Sequence, residues 1–307
     1  MAEWEFLHRP TQDAGPWTPE FQGVFGGRDL ARIENGTWLG INRVGRFAGL
    51  TNIREETSVA AIGSVSRGAI VSSFLASRST HSDIWANCSA EHGPEEFPDT
   101  DQVGGFSMLF GQLIRNSENK IRVGDLGVFS NRGKEEKLHI RNLDRLDPNN
   151  TDPHGLSNST FTKPWRKVLD GEVSLNRLVN DIQLGNFQVQ DIFTRAFDIL
   201  SRDSLSNDPN WRADKRLDQL KQSIFIPMFE TGKEAGIDHQ QSKDMFSSQG
   251  QPNGPHLYSH YGTQKQTVIV VLDSGSVRYA ERTLFDWLQG NGMAENHTVN
   301  ISYDLAI

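Results

Sequence analysis

The sequence predicts an α+β fold in one interwoven domain over residues 1–307. Period-two segments rich in β-branched and aromatic residues gather in the first half and return at the carboxyl end. Helical periodicities lie between them, the arrangement expected of helices packed on antiparallel sheets. No internal repeat and no low-complexity tract divides the chain.

Gly26-Gly27-Arg28-Asp29 reads as a turn, and Thr37–Asn42 then alternates as a half-buried strand does. Gly45 links it tightly to a second strand at Arg46–Asn52, which suits a hairpin. Ile70, Val71, Phe74 and Leu75 recur at helical spacing and predict a helix over 66–78, with Ser66 as its cap. Residues 79–102, bearing Pro94, Pro98 and several acids, read as an exposed loop. Gly105–Leu113 and Lys120–Phe129 read as strands joined by a polar turn, and Lys137–Asn142 extends that sheet. Asp144–Thr160 reads as a second loop. Helices are predicted over 173–184 and 189–202, the latter with an apolar face of Ile192, Phe193, Ala196, Phe197 and Leu200. Residues 203–258 read as a polar surface insertion with one short strand at Ile224–Ile226. Gln266–Asp273, the turn Ser274-Gly275 and Ser276–Arg282 form the clearest hairpin. A helical stretch over 283–289 and an alternating strand through Val299, Ile301 and Tyr303 close the series.

Composition narrows the function. The net charge is −8, which disfavours a general nucleic-acid surface. The longest clean apolar run, Val268–Leu272, is far short of the ~20 residues a spanning helix needs. The opening Met-Ala-Glu-Trp-Glu-Phe carries no basic flank or apolar core, so a soluble, cytoplasmic protein is expected. The six Asn-x-Ser/Thr triplets, at Asn35, Asn87, Asn149, Asn158, Asn296 and Asn300, are then expected to stay unmodified. The single cysteine, Cys88, excludes an internal disulfide and a cysteine-rich zinc module, and it has no adjacent basic partner to activate it.

No metal site or cofactor is expected. His256 and His260 stand four apart, but Pro255 and Gly262 flank them and oppose a helix that would align them as ligands. Neither Gly26-Gly27 nor Gly104-Gly105 has the spacing of a phosphate loop. More informative is His154-Gly155-Leu156-Ser157-Asn158-Ser159-Thr160. A histidine, an amide and hydroxyls on one loop either face a ligand or satisfy their own turn. Tyr261-Gly262-Thr263 enters the best strand, so it is either a sheet-end site or simply a strand entry.

Several segments together resemble the transport-and-Golgi-organisation-2 family, whose signature motif is Asn-Arg-Asp-Glu. They are Gly26–Asp29, Gly36–Gly40, Gly45–Ala48 with Leu50-Thr51-Asn52, and Ser66-Arg67-Gly68. His154–Asn158, Pro164-Trp165 with Lys167, Ser223–Ile226, Tyr261-Gly262-Thr263 with Gln266-Thr267-Val268, and Glu281-Arg282 follow in the family's order. The resemblance runs from residue 5 to about 282. It implies an Ntn-hydrolase-like αββα sandwich, two antiparallel sheets between helical layers. It also implies roles in Golgi and secretory-pathway organisation or haem and lipid trafficking, with Golgi or mitochondrial association. The expected partner is a small apolar metabolite, haem or an acyl group. Oligomeric state is not readable. Asn52, Arg67, His154, Asn158 and Tyr261 are the ligand-binding candidates that the matched segments contain.

The alternative is an Ntn-type amide hydrolase or acyltransferase of a specialised metabolic pathway. Family members begin Met-Cys, and such enzymes attack with an amino-terminal Cys, Ser or Thr. Here the signature aligns with Ala2-Glu3-Trp4-Glu5-Phe6, of which only Glu5 survives from the four-letter motif. The cysteine-bearing strand that precedes it in the family has no counterpart, an expected gene-model truncation or replacement. No catalytic residue is therefore assigned. In the enzymatic reading Asn52 and Asn158 would donate to an oxyanion, or else cap turns. Cleavage at Gly36–Thr37 would expose a threonine, but within a matched motif on an interior strand. A third reading makes 203–258 a docking insert of a non-enzymatic interaction protein.

Overall fold

The computed structural model describes residues 2–5, 10–17, 23–54, 63–77, 88–89, 93–94, 103–132, 142–205, 219–230, 260–288, 292–294 and 296–307. Strands β1 (Ala2–Glu5), β2 (Thr11–Pro16), β3 (Val24–Asp29), β4 (Leu39–Asn42) and β5 (Arg46–Asn52) precede helix α1 (Gly68–Ala76). A small pair, β6 (Cys88–Ser89) and β7 (Gly93–Pro94), is followed by β8 (Phe106–Arg115), β9 (Ile121–Ser130) and β10 (Asn142–Leu146). Helices α2 (Arg166–Leu184) and α3 (Val189–Leu200) come next. The carboxyl part holds β11 (Phe229–Glu230), β12 (His260–Val271), β13 (Ser276–Thr283), β14 (Asp286–Leu288), β15 (Gly292–Ala294) and β16 (His297–Asp304).

Two antiparallel sheets dominate this mixed α+β fold. Six strands in the order β9-β8-β5-β4-β3-β2 make the first, with β10 added along β9. Three long strands, β12-β13-β16, make the second, and β1 and β11 both pair with β12. Gly45 at φ +85° and Gly275 at φ +94° turn the β4–β5 and β12–β13 hairpins, a conformation that side-chain-bearing residues rarely adopt. Alternation then sorts the faces. Ala48, Leu50, Met108 and Phe110 point from the first sheet onto Ile70, Val71 and Phe74 of α1. Phe25, Ile41 and Leu113 meet Val277, Tyr279 and Tyr303 of the second sheet. Ala280, with Val268 and Val270, receives Phe193 and Phe197 of α3 on the far side. Helix, sheet, sheet and helix thus pack in succession.

Several expectations need correction. Gly26–Asp29 is not a turn but the end of β3, because β2 pairs along its backbone, Thr11 opposite Asp29 and Gly15 opposite Gly26. Ser66 does not cap α1; its N–H instead donates to Glu34 Oε1 at 2.9 Å. Helix α2 starts at Arg166, about two turns before the predicted residue. Asp144–Leu146 belongs to β10 rather than to a loop. Ile224–Ile226 is not a strand but an irregular link, tied to β12 where Ile226 and Thr263 exchange bonds of 2.9 Å. The predicted helix over 283–289 is replaced by β14, which pairs with β15. Residues 137–141, most of the 79–102 loop and the 206–218 and 231–259 parts of the insertion lie outside the described residues.

Candidate functional site

The β5 strand ends its apolar stripe in an amide. Arg46, Ala48 and Leu50 are buried toward α1, and the same parity brings Asn52 onto that face, in register with fully buried Phe106. There Asn52 Oδ1 is buried and accepts no hydrogen bond from the described residues. The surrounding backbone is satisfied. Gly105 O accepts the Ile53 N–H at 2.8 Å and Arg67 Nη1 at 3.5 Å, and Phe106 N–H donates to Asn131 Oδ1 at 2.9 Å. A buried acceptor left over in a satisfied frame needs an explanation, since such groups are rare.

The 154–160 loop docks on the other face of the same strand ends. Thr51 Oγ1 donates to Ser157 O at 2.7 Å, and Ser107 Oγ donates to Ser159 O at 3.2 Å while lying 2.5 Å from Ser130 Oγ. Arg54 N–H reaches Asn158 O at 3.1 Å. Glu172 of α2 holds the loop's start by accepting Gly155 N–H at 2.9 Å. His154 packs edge-on against Phe161, ring centroids 6.3 Å apart, and its Nε2 is buried with no hydrogen-bond partner among the described residues. The serines of this loop therefore do serve their own turn and the strand ends, whereas the histidine retains one unused nitrogen.

Asn52, Arg67 and Asn158 thus converge on the Gly105 end of β8, Asn158 through its backbone carbonyl. His154 sits at the mouth of the same loop. Tyr261 lies in β12 of the second sheet, with its backbone opposite Glu5 and Phe229. His256 lies outside the described residues, and His260 opens β12. Thr37 is buried at 2% exposure, its hydroxyl donating to Gly27 O at 2.6 Å and its N–H to Gly68 O at 3.2 Å, which leaves no attacking group there.

Sequence reasoning missed a second polar cluster, buried between the sheets. Lys265 Nζ of β12 contacts Asp13 of β2, Glu281 Oε1 at 3.3 Å and Thr283 Oγ1 at 2.9 Å. Glu281 also accepts Ala14 N–H at 2.8 Å and Thr267 Oγ1 at 3.2 Å. His297 of β16 closes the rim, its Nε2 at 2.7 Å from Asp13 Oδ2. Burial alone would raise the Asp13 pKa, but the hydrogen bonds and charges of Lys265 and His297 together bring it below the usual carboxylate value. Burial, reinforced by the Glu281 charge, pushes the nearby Tyr279 phenol well up, so it stays neutral. Parity was the available signal: Lys265 shares the inward face with Ile269, and Glu281 shares it with Val277 and Tyr279. The cluster clamps three strands of one sheet to β2 of the other.

Two antiparallel sheets with a helix outside each define a mixed α+β protein. Residues 5–286 match the Transport and Golgi organisation 2 family, and the chain belongs to that family. It is 26% identical over 282 residues to the Transport and Golgi organization protein 2 homolog of Bos taurus, covering 91% of this chain and 83% of that protein. Identity to the human homolog is 24% over 284 residues, 92% of this chain and 84% of the other. Family membership links the chain by name to transport and Golgi organisation. No helix among the described residues is long and apolar enough to cross a membrane.

Proposed function

We propose that this chain binds a small, largely apolar metabolite at the Asn52 end of the first sheet, and serves trafficking of that metabolite. The buried Oδ1 of Asn52 carries the reading. It terminates an apolar stripe beside Phe106, so a ligand with an apolar body and one hydrogen-bonding group suits it. Arg67 on the α1 side and the 154–160 loop on the other flank the same strand end. Haem and acyl groups are the two ligands proposed for it. The succession of helix, sheet, sheet and helix supports an Ntn-hydrolase-like αββα sandwich as its frame, put here to binding rather than acyl transfer. In this reading His154, Asn158 and Arg67 shape the entrance, and Tyr261 plays no part.

Equilibrium binding of haem, by its absorbance shift, and of a medium-chain acyl-CoA, by calorimetry, tests the proposal. At least one binds saturably, and Asn52→Leu weakens it tenfold or more while the protein stays folded. Absence of saturable binding by both, or unchanged affinity in Asn52→Leu, contradicts it.

A further inference from the structure

The helical layer on the second sheet contains a groove that the site above does not use. It lies between α2 and α3 and encloses about 210 Å³, with Ser174, Arg177, Arg195, Asp198 and Arg202 on its walls. Residues 174, 177 and 181 share one face of α2, and 195, 198 and 202 continue one face of α3. The helices meet antiparallel: Arg195 pairs with Asp181 at one end, and Arg202 Nη1 donates to Ser174 Oγ at 2.6 Å at the other. Arg177 falls between these contacts. It is exposed and, among the described residues, has no hydrogen-bond or ion-pair partner, and Arg202 meets no carboxylate among them.

We infer that this groove binds the phosphoryl group of a soluble phosphorylated small molecule. Three guanidiniums face two carboxylates there, one of which is already taken by Arg195, so the groove is locally positive in a chain of net charge −8. Arginine forks match phosphate oxygens bidentately, and forks approaching from two helices suit a tetrahedral anion better than a planar carboxylate. Nearly buried Ser174, itself held by donating to Asp170 O at 2.6 Å, fixes Arg202 in place. The volume lies below the ~300–1,000 Å³ of pockets that enclose drug-sized ligands, which fits a phosphoryl group rather than a whole apolar cofactor.

Calorimetric titration of the full chain with inorganic pyrophosphate at constant ionic strength tests this. One saturable site is expected. Arg177→Ala and Arg202→Ala each weaken it about tenfold, Asp198→Asn tightens it severalfold, and Asn52→Leu leaves it unchanged, which separates this groove from the strand-end site. No saturable binding of pyrophosphate, equal affinity for acetate, or an affinity indifferent to both arginine substitutions would overturn the inference. So would capture by vesicles containing phosphatidic acid with no binding of free pyrophosphate, because the ligand would then be a lipid headgroup.

Discussion

A buried acceptor without a partner costs about 1–3 kcal/mol, and Asn52 Oδ1 has none among the described residues. Asn52→Leu keeps the γ-branched shape and removes the unmet acceptor, so it should raise the unfolding free energy by up to about that amount while weakening ligand binding tenfold or more. Urea denaturation reads the first effect and calorimetry the second. The opposite sign is expected between the sheets. Glu281→Ala leaves Lys265 Nζ buried with half its carboxylate partners gone, a loss of about 3–5 kcal/mol in the same urea measurement. Asp13 adds a pH dependence. Its pKa is depressed on folding, so its contribution is full above the ordinary carboxylate pKa and disappears as pH falls through the lower folded value. His297→Ala removes one cause of that depression, and acid unfolding followed by circular dichroism should begin at higher pH. Asn52 and His154 could be picked out beforehand because both lie within segments that resemble the family. Lys265 and Asp13 could not, since they are 252 positions apart and meet only through the stacking of two sheets.

At the level of elements, hairpins were readable wherever a short turn joined two alternating runs, as at Gly45 and Gly275. Elements governed by distant partners were not. Gly26 reads as turn material, yet β3 needs a glycine there because a Cβ would approach Leu39 O to 2.7 Å. The polar start of α2 hides its first two turns, which local apolar periodicity does not mark. The contact between α1 and the chain before β4 is tighter still. A Cβ on Gly36 would lie 2.5 Å from the Gly68 carbonyl carbon, so Gly36→Ala must push helix and strand apart. A loss of about 1–3 kcal/mol is expected, again by urea denaturation.

Across the whole molecule, the two sheets are joined by an apolar centre and a charged rim. Phe25 and Tyr303 stack at 3.8 Å between ring centroids, with the Arg43 guanidinium 5.4 and 5.2 Å from the two rings. Phe25→Ala empties that contact and should lower stability by about 3–5 kcal/mol, with both sheets still unfolding in one transition. The α+β class was legible in the strand and helix periodicities, whereas the plan of stacked sheets was not, because stacking order depends on which faces meet. That plan places Asn52 and the 154–160 loop on opposite faces of the same strand ends.

Hydrogen exchange with and without haem or a medium-chain acyl-CoA measures directly whether a ligand occupies that end. Slower exchange over residues 50–54 and 154–161 on ligand addition, lost in Asn52→Leu, is the predicted result. Protection confined to other segments, or none at saturating ligand, would contradict the account.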